Sequence, residues 1–407
     1  MSVQQIRDLV LDAQIRSDKS VTGYLESQVT GLEYIQAGMG SVLDSFGHEG
    51  NGAGGADGMT AMLINMSNSL QEVGNDPTSR TSRFQFLDAA DAVADQFRDM
   101  DAKISGLESS WDNELTSTVN AANQALDQLA SLNKSIQKAE RGGSYTANDL
   151  RDQRTKTLED LSELMPVDVS TDAAGRLQVQ SQGVSIIDGD TVVSRLETVN
   201  PGQGGLTLAW QPGGQAFTPS EGRLGGILNL RDEVLTEFRN DIDAMASEMI
   251  QTFDQIHSQG FALDGSTGRD LFVGQDASSI QINPDILDSP ELLQASSRQG
   301  EAGNNENVAL LVEEMRSPRA GLNQRTFIEA HADLTASFGQ TLQSTRSDLE
   351  NHQSMMSVLE LQRDSISGVS LDEEMTELVK YQRAFEASAR LVNIVDDMLS
   401  TVVSLGS

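Results

Sequence analysis

Apolar residues between Ser370 and Val403 return on a seven-residue beat. Leu371, Leu378, Phe385, Val392 and Leu399 form one series, and Tyr381, Val395 and Val402 form a second beside it, interrupted by Ser388. A repeat of about 3.5 residues per turn keeps one seam facing a partner along its whole length, which is the pattern of a supercoiled helix. Ser370 and Glu373 are spaced as a capping box, and Asp372, Glu373 and Glu374 suit the positive end of the helix dipole. The pattern predicts a helix of about 50 Å at 1.5 Å per residue. Its apolar face needs another helix to cover it.

Helical periodicity also fills the other end of the chain. Ile6, Leu9, Val10 and Ala13, then Leu25, Val29, Leu32, Ile35, Met39, Val42, Leu43 and Phe46, are spaced three and four apart and stop at the glycine-rich run Gly47–Gly55. A shorter helix with Met59, Met62, Leu63, Met66, Leu70 and Val73 inward ends near Gly74. Asp76 as N-cap and Pro77 at the first position then predict a helix from Pro77 to about Glu140, carrying Phe84, Leu87, Ala90, Phe97, Trp111 and Ile136 among its inward residues. Gly142-Gly143 ends it, and a helix with Leu150, Leu158, Leu161 and Leu164 on one face follows.

After Pro166 the period changes. Val167, Val169, Leu177, Val179, Val184, Ile186, Val192, Leu206, Leu208 and Trp210 alternate with polar residues between Gly-containing turns, which predicts a small antiparallel sheet with a polar outer face standing on the surface. Helix resumes at Gly225-Gly226-Ile227 and runs past Phe253. The stretch from Gly260 to Pro290 reads as irregular. A helix from Asn307 to Arg316 follows, and Thr326 with Glu329 forms a capping box opening a helix to about Arg363, which Gly368 separates from the heptad helix.

The fold class that results is mainly α: an elongated long-helix bundle with a small antiparallel β insert and a C-terminal heptad helix. Its divisions are residues 1–166 for the first part of the bundle, 167–219 for the insert, 220–260 for a bundle helix, 261–302 for a small irregular subdomain, 303–366 for the returning helices and 367–407 for the coiled-coil helix.

Charge narrows the partners. Lys plus Arg number 28 against 61 Asp plus Glu, a net charge of -33 over 407 residues, which opposes binding to nucleic acid or insertion into an anionic membrane. The absence of cysteine removes disulfides, thiolate metal sites and thiol nucleophiles. Aromatic residues make up 4% of the chain, few for a ligand pocket. The first residues carry no apolar core ahead of a small-residue cleavage site, so export without a cleaved leader is the expectation if the protein leaves the cell.

Candidate chemistry is sparse. Gly50-x-Gly52-x-x-Gly55 has the letters of a dinucleotide fingerprint, but a helix rather than a strand leads into it, so a flexible loop is the better reading. Asp264-Gly265-Ser266-Thr267-Gly268-Arg269-Asp270 starts like an EF-hand loop, with Arg269 where glycine is needed and Gln275 where a bidentate glutamate is needed; it reads as a turn. His48, His257, His331 and His352 are dispersed and read as surface or helix-face residues. Carboxylate neighbours such as Glu313-Glu314 and Asp396-Asp397 diverge on helices, and the stripe of Met59, Met62 and Met66 reads as core filling. No catalytic, cofactor-binding or metal-binding residue is assigned, and the chain reads as a non-enzyme.

The segment Ser365–Arg390, with its Ser-Gly-Val-x-Leu-Asp-Glu-Glu opening and Tyr381-Gln-x-Ala-Phe385-x-Ala-Ser-Ala-Arg390 core, resembles the C-terminus of the flagellar hook-associated protein 1 family. Asn148–Arg154, Gly222–Arg231, Asp270–Phe272 with Ile280–Pro284, and Gly303–Leu310 are similar to internal stretches of the same family, so the resemblance covers most of the chain. It departs at the start: the family's N-terminal helix and its Pro-Gly-Tyr-x-Arg signature have no counterpart, and residue 1 falls where the bundle-forming domain begins.

The resemblance implies a secreted structural component of the flagellum at the hook–filament junction. Its expected partners are its own copies, the hook protein, hook-associated protein 3 and an export chaperone at the C-terminal helix. Self-assembly would rest on Leu371, Leu378, Tyr381, Phe385, Val392, Val395 and Leu399. The alternatives are hook-associated protein 3 or a flagellin, a secreted adhesin or binding module using the β insert, and an enzymatic insert over 167–219, a span that holds neither His nor Cys.

Overall fold

In a computed structural model the described residues are 9–43, 58–141, 147–171, 176–202, 204–367 and 371–405. The glycine-rich run 47–55 with His48, the Gly142-Gly143 stop, Gly368 and the Ser370 cap lie outside them, as do the side chains of Leu371, Leu378 and Leu399. The helices are α1 (Leu9–Leu43), α2 (Met59–Asn75), α3 (Arg80–Glu140), α4 (Asn148–Leu164), α5 (Gly222–Asn229), α6 (Leu235–His257), α7 (Pro284–Asp288), α8 (Glu306–Arg316), α9 (Phe327–Ser367) and α10 (Leu371–Leu405). The fold is mainly α with small antiparallel sheets. Two compact units partition it, Arg16–Ser354 and Met1–Ile15 with Met355–Ser407.

The larger unit is built on α3, whose 61 residues extend about 90 Å at 1.5 Å per residue. Its buried residues step by four and three from Phe86 through Ala90, Val93, Phe97, Met100, Ile104 and Leu107 to Trp111. Two successive steps of four, Leu107–Trp111–Leu115, then insert a stutter that locally unwinds the seam. Helices α2, α4, α5 and α6 pack along α3 in one continuous core. Met59 and Met66 are fully buried in it and Met62 packs against it. Phe84, expected inward, is 57% exposed. It lies roughly 130° around the helix from the buried stripe, which Phe86 occupies instead.

Helix α3 also starts later than its Pro77 suggests. The Asp76 carboxylate is taken up by Thr78, accepting its backbone N–H at 3.1 Å and its hydroxyl at 2.8 Å. Ser79 is therefore the N-cap, its hydroxyl accepting the Ser82 N–H at 3.2 Å.

The β insert forms two sheets rather than one. Strands β1 (Asp168–Thr171), β2 (Leu177–Ser181), β3 (Val184–Asp188) and β4 (Thr191–Val192) pair antiparallel in sequence order; β5 (Arg195–Val199), β6 (Thr207–Gln211) and β7 (Gln215–Phe217) make the second sheet. Alternation fails in β6, where Leu208, Ala209 and Trp210 are all buried and Trp210 packs on Phe217 with ring centroids 4.9 Å apart. The insert lies against α3 and is held there by polar side chains. Asn123 donates to the Leu196 carbonyl at 2.8 Å and accepts its N–H at 3.1 Å, acting as a neighbouring strand would on the edge of β5. Asn133 donates to the Gly189 carbonyl at 2.6 Å.

A π-helical turn, Leu230–Val234, joins α5 to α6. Beyond α6, the stretch from Gly260 to Pro290 is more ordered than its composition suggests: β8 (Phe272–Val273) pairs with β9 (Gln281–Ile282), and Asn283 caps α7 with Pro284 at its first turn. The Thr326–Glu329 capping box forms, with the Thr326 N–H donating to Glu329 at 2.9 Å and the Glu329 N–H donating to the Thr326 hydroxyl at 3.2 Å. In the smaller unit, Leu11 and Ile15 of α1 bury against Leu359 of α9, with Met356 beside them. Leu9 and Val10, expected inward, are exposed because Leu11 and Ile15 hold the buried side of that turn.

Candidate assembly interface

Helix α10 carries an apolar surface that stays exposed among the described residues. Every side chain described on it between Met375 and Met398 is exposed. Phe385 is 76% exposed and Val392 66%, with Tyr381 and Val395 about half covered. These four of the seven seam residues are brought onto one face by the seven-residue spacing; the side chains of Leu371, Leu378 and Leu399 lie outside the description.

A second stripe escaped the heptad reading. Leu391, Ile394 and Met398 are exposed and spaced at i, i+3 and i+7, roughly 110° around the helix from the first seam at 100° per residue. The signal was in the sequence, as the same helical spacing offset from the heptad register. Two stripes at that angle need two neighbours, as for a helix inside a layer rather than in a simple pair. On α9, Met355, Val358 and Leu361 are exposed as well.

The internal stretches quoted above prove to be structural joints. In Asn148–Arg154, Arg151 makes a two-pronged pair with Glu140 at 2.8 and 2.7 Å, and Glu140 also accepts the Ala147 N–H at 3.0 Å. That pairing holds the Glu140 carboxyl below its ordinary range. In Gly222–Arg231, Arg223 pairs with Glu114 at 2.6 Å, Gln28 donates to Asn229 at 2.6 Å, and Arg231 pairs with Asp112. Asp254 accepts the N–H groups of Leu271 and Phe272 at 2.8 Å each, and burial pushes its carboxyl up to about 6. Asn304 accepts the Ser297 N–H at 3.0 Å, and Asn307 donates to the Gln294 carbonyl at 2.7 Å.

Two of the histidines correct the surface reading, while His352 stays partly exposed on the face of α9. His257 and His331 are buried, and His352 lies 2.9 Å from Asp18. His257 holds its Nδ1 2.8 Å from the Arg269 carbonyl while its Nε2 accepts the Gln294 N–H at 3.0 Å. A carbonyl only accepts and an amide N–H only donates, so the ring is neutral with its proton on Nδ1. The EF-hand-like start is an Asx turn, with Asp264 accepting the Ser266 N–H at 2.8 Å. Among the described residues no group of three or more His, Cys, Asp or Glu is placed to hold a metal ion, and no helix is long and apolar enough to cross a membrane.

Residues 51–272 match the family model described as "Flagellar hook-associated protein FlgK helical domain", and residues 354–405 match "Flagellar basal body rod FlgEFG protein C-terminal", which takes in α10. The chain is 28% identical to flagellar hook-associated protein 1 of Bacillus subtilis (strain 168), over 99% of this chain and 85% of that one. It is 21% identical to the protein of the same name from Escherichia coli (strain K12), over 83% and 79% of the two chains. The solved flagellar hook junction protein FlgK from Burkholderia pseudomallei superposes with a TM-score of 0.72 over 88% of this chain and 100% of that one; at 14% identity the shared property is the fold. The chain therefore belongs to the flagellar hook-associated protein 1 (FlgK) family and is a structural component of the bacterial flagellum.

Proposed function

We propose that this chain joins hook to filament by assembling with its own copies, the hook protein and hook-associated protein 3, and that α10 supplies the contact. The observation that supports this most is the uncovered apolar face of Tyr381, Phe385, Val392 and Val395. Leu371, Leu378 and Leu399 continue that face by their heptad positions. Burying a Phe, Leu or Val side chain contributes about 1.5–3 kcal/mol, so a handful of seam contacts supplies on the order of 10 kcal/mol toward holding the helix between neighbours. Before assembly the same face needs a cover, a role that fits an export chaperone. Residues 1–166, 220–260 and 303–366 act in this reading as the lateral bundle, 167–219 as its insert, 261–302 as a small subdomain and 367–407 as the axial helix. The role is mechanical and non-enzymatic.

Because the chain has no cysteine, a single introduced thiol reports on one place. Val392→Cys, oxidised in intact flagella, is expected to cross-link to a neighbouring axial subunit bearing a matching thiol and to stay uncross-linked in the dilute monomer. Flagella that incorporate Val392→Cys yet leave it freely alkylatable by a bulky maleimide would contradict the proposal.

A further inference from the structure

A cleft of about 320 Å³ opens within the larger unit, between α1, the middle of α3, the end of α4 and the junction after α5. Its floor is apolar: Trp111, Ile227 and Leu230 line it and all three are buried. Tyr34 stands at its edge, 61% exposed. Leu230 opens the π-helical turn, a feature that recurs at functional sites because the extra residue re-aims its neighbours.

The charges around this floor do not balance. Three carboxylates, Glu26, Glu114 and Glu163, face one guanidinium, Arg223, and Arg223 is engaged by Glu114 at 2.6 Å. That leaves Glu26 and Glu163. Glu163 is half-buried and its carboxylate makes no hydrogen bond among the described residues, while Glu26 accepts a bond of 3.3 Å from Gln353. Burial, followed by repulsion from Glu26, holds the Glu163 carboxyl above its ordinary range; Asp160 adds to the rise, and Lys19 and Arg223 offset only part of it. Apolar floor and excess negative charge together describe the complement of a long basic side chain.

We propose that this cleft is a docking pocket for a lysine or arginine side chain presented by a basic segment of a partner protein. The aliphatic stem would lie over Trp111, Ile227 and Leu230, the cationic head would sit between Glu26 and Glu163, and Tyr34 would offer its ring face. The chain's own net charge of -33 disfavours a second copy as the occupant and favours a basic partner.

The test uses the full chain and a dye-labelled peptide, acetyl-Ala-Leu-Arg-Leu-Ala-amide, followed by fluorescence anisotropy against its citrulline counterpart. The citrulline peptide and the Glu26→Gln/Glu163→Gln variant are each expected to show at least about tenfold weaker binding. Thermal melting checks that the variant is folded; it should be no less stable, since a half-buried like-charge contact is relieved. The control Asp348→Asn/Glu350→Gln removes two exposed carboxylates elsewhere and should leave binding unchanged. Equal weakening in the control, equal binding of the citrulline peptide, or no saturable binding overturns the proposal. So does free arginine amide binding as tightly as the peptide, which would reassign the cleft to a small cation.

Discussion

Asp112 of α3 and Arg231 of the π-helical turn form an ion pair whose guanidinium is 5% exposed and whose carboxylate is 28% exposed. Asp112 also accepts the Leu206 N–H at 3.2 Å, and Asp232 closes the other edge of the guanidinium at 2.6 Å. One carboxylate thus joins the long helix, the loop into β6 and the helix that follows the insert. Removing it leaves a buried cation with only its exposed neighbour Asp232. Asp112→Ala should lower stability by about 3 kcal/mol, whereas Arg231→Met, which keeps the aliphatic stem and removes the charge, should cost less. Urea denaturation of the two variants and the double variant measures the difference; equal costs would show that the pair is not buried in solution.

Two glycines on helices should respond to alanine with opposite signs. A Cβ on Gly226 of α5 would run into the Ser27 hydroxyl and come within 2.7 Å of the Tyr24 carbonyl oxygen on α1, while one on Gly106 of α3 would meet nothing within 4 Å. Gly226→Ala is expected to destabilise by about 1–3 kcal/mol through overpacking against helix backbone. Gly106→Ala is expected to stabilise by about 0.5–1 kcal/mol through helix propensity alone. Thermal melts of both decide it.

His257 and Asp254 bias acid stability in opposite directions. Burial pushes the His257 imidazole down to about 4 from an ordinary 6.5. The unfolded chain then takes the proton first, so the stability due to neutral His257 is complete above about pH 6.5 and is lost as pH falls toward 4. Asp254, pushed up to about 6 by burial, takes its proton first in the folded chain and adds stability on the same descent. The wild type should therefore show a shallow profile. Asp254→Asn keeps an oxygen to accept the Leu271 and Phe272 N–H groups but removes the compensating titration. Its stability should fall more steeply between pH 6.5 and 4, by on the order of 3 kcal/mol for a histidine displaced this far. A profile parallel to the wild type would contradict the assignment of His257 as the buried neutral group.

Much of the fold was legible because helical spacing survives in long elements. The buried stripe of α2, the Thr326–Glu329 cap and the helix of α10 all stand where spacing and capping residues placed them. What periodicity missed was decided by contacts distant in sequence. The start of α3 depended on Asp76 turning to Thr78, and the burial of His257 on carbonyl and amide groups supplied by Arg269 and Gln294. The docking of the insert rests on single asparagines, Asn123 and Asn133, whose helix-face positions look like ordinary solvated residues until the strands are in place. The second stripe of Leu391, Ile394 and Met398 was hidden by the regularity of the first. The cleft at Glu26 and Glu163 draws on four separate elements and leaves no local trace.

Incorporation of a seam variant into flagella tests the account most directly. Phe385→Asp and Val392→Asp alter side chains that are 76% and 66% exposed, so the thermal melt of the purified chain should match the wild type. In cells whose own hook-associated protein 1 has been deleted, hooks isolated after expressing either variant should lack the chain by immunoblot and should carry no filament. Wild-type amounts of either variant on those hooks, with filaments attached, would contradict the claim that this face is where the chain assembles.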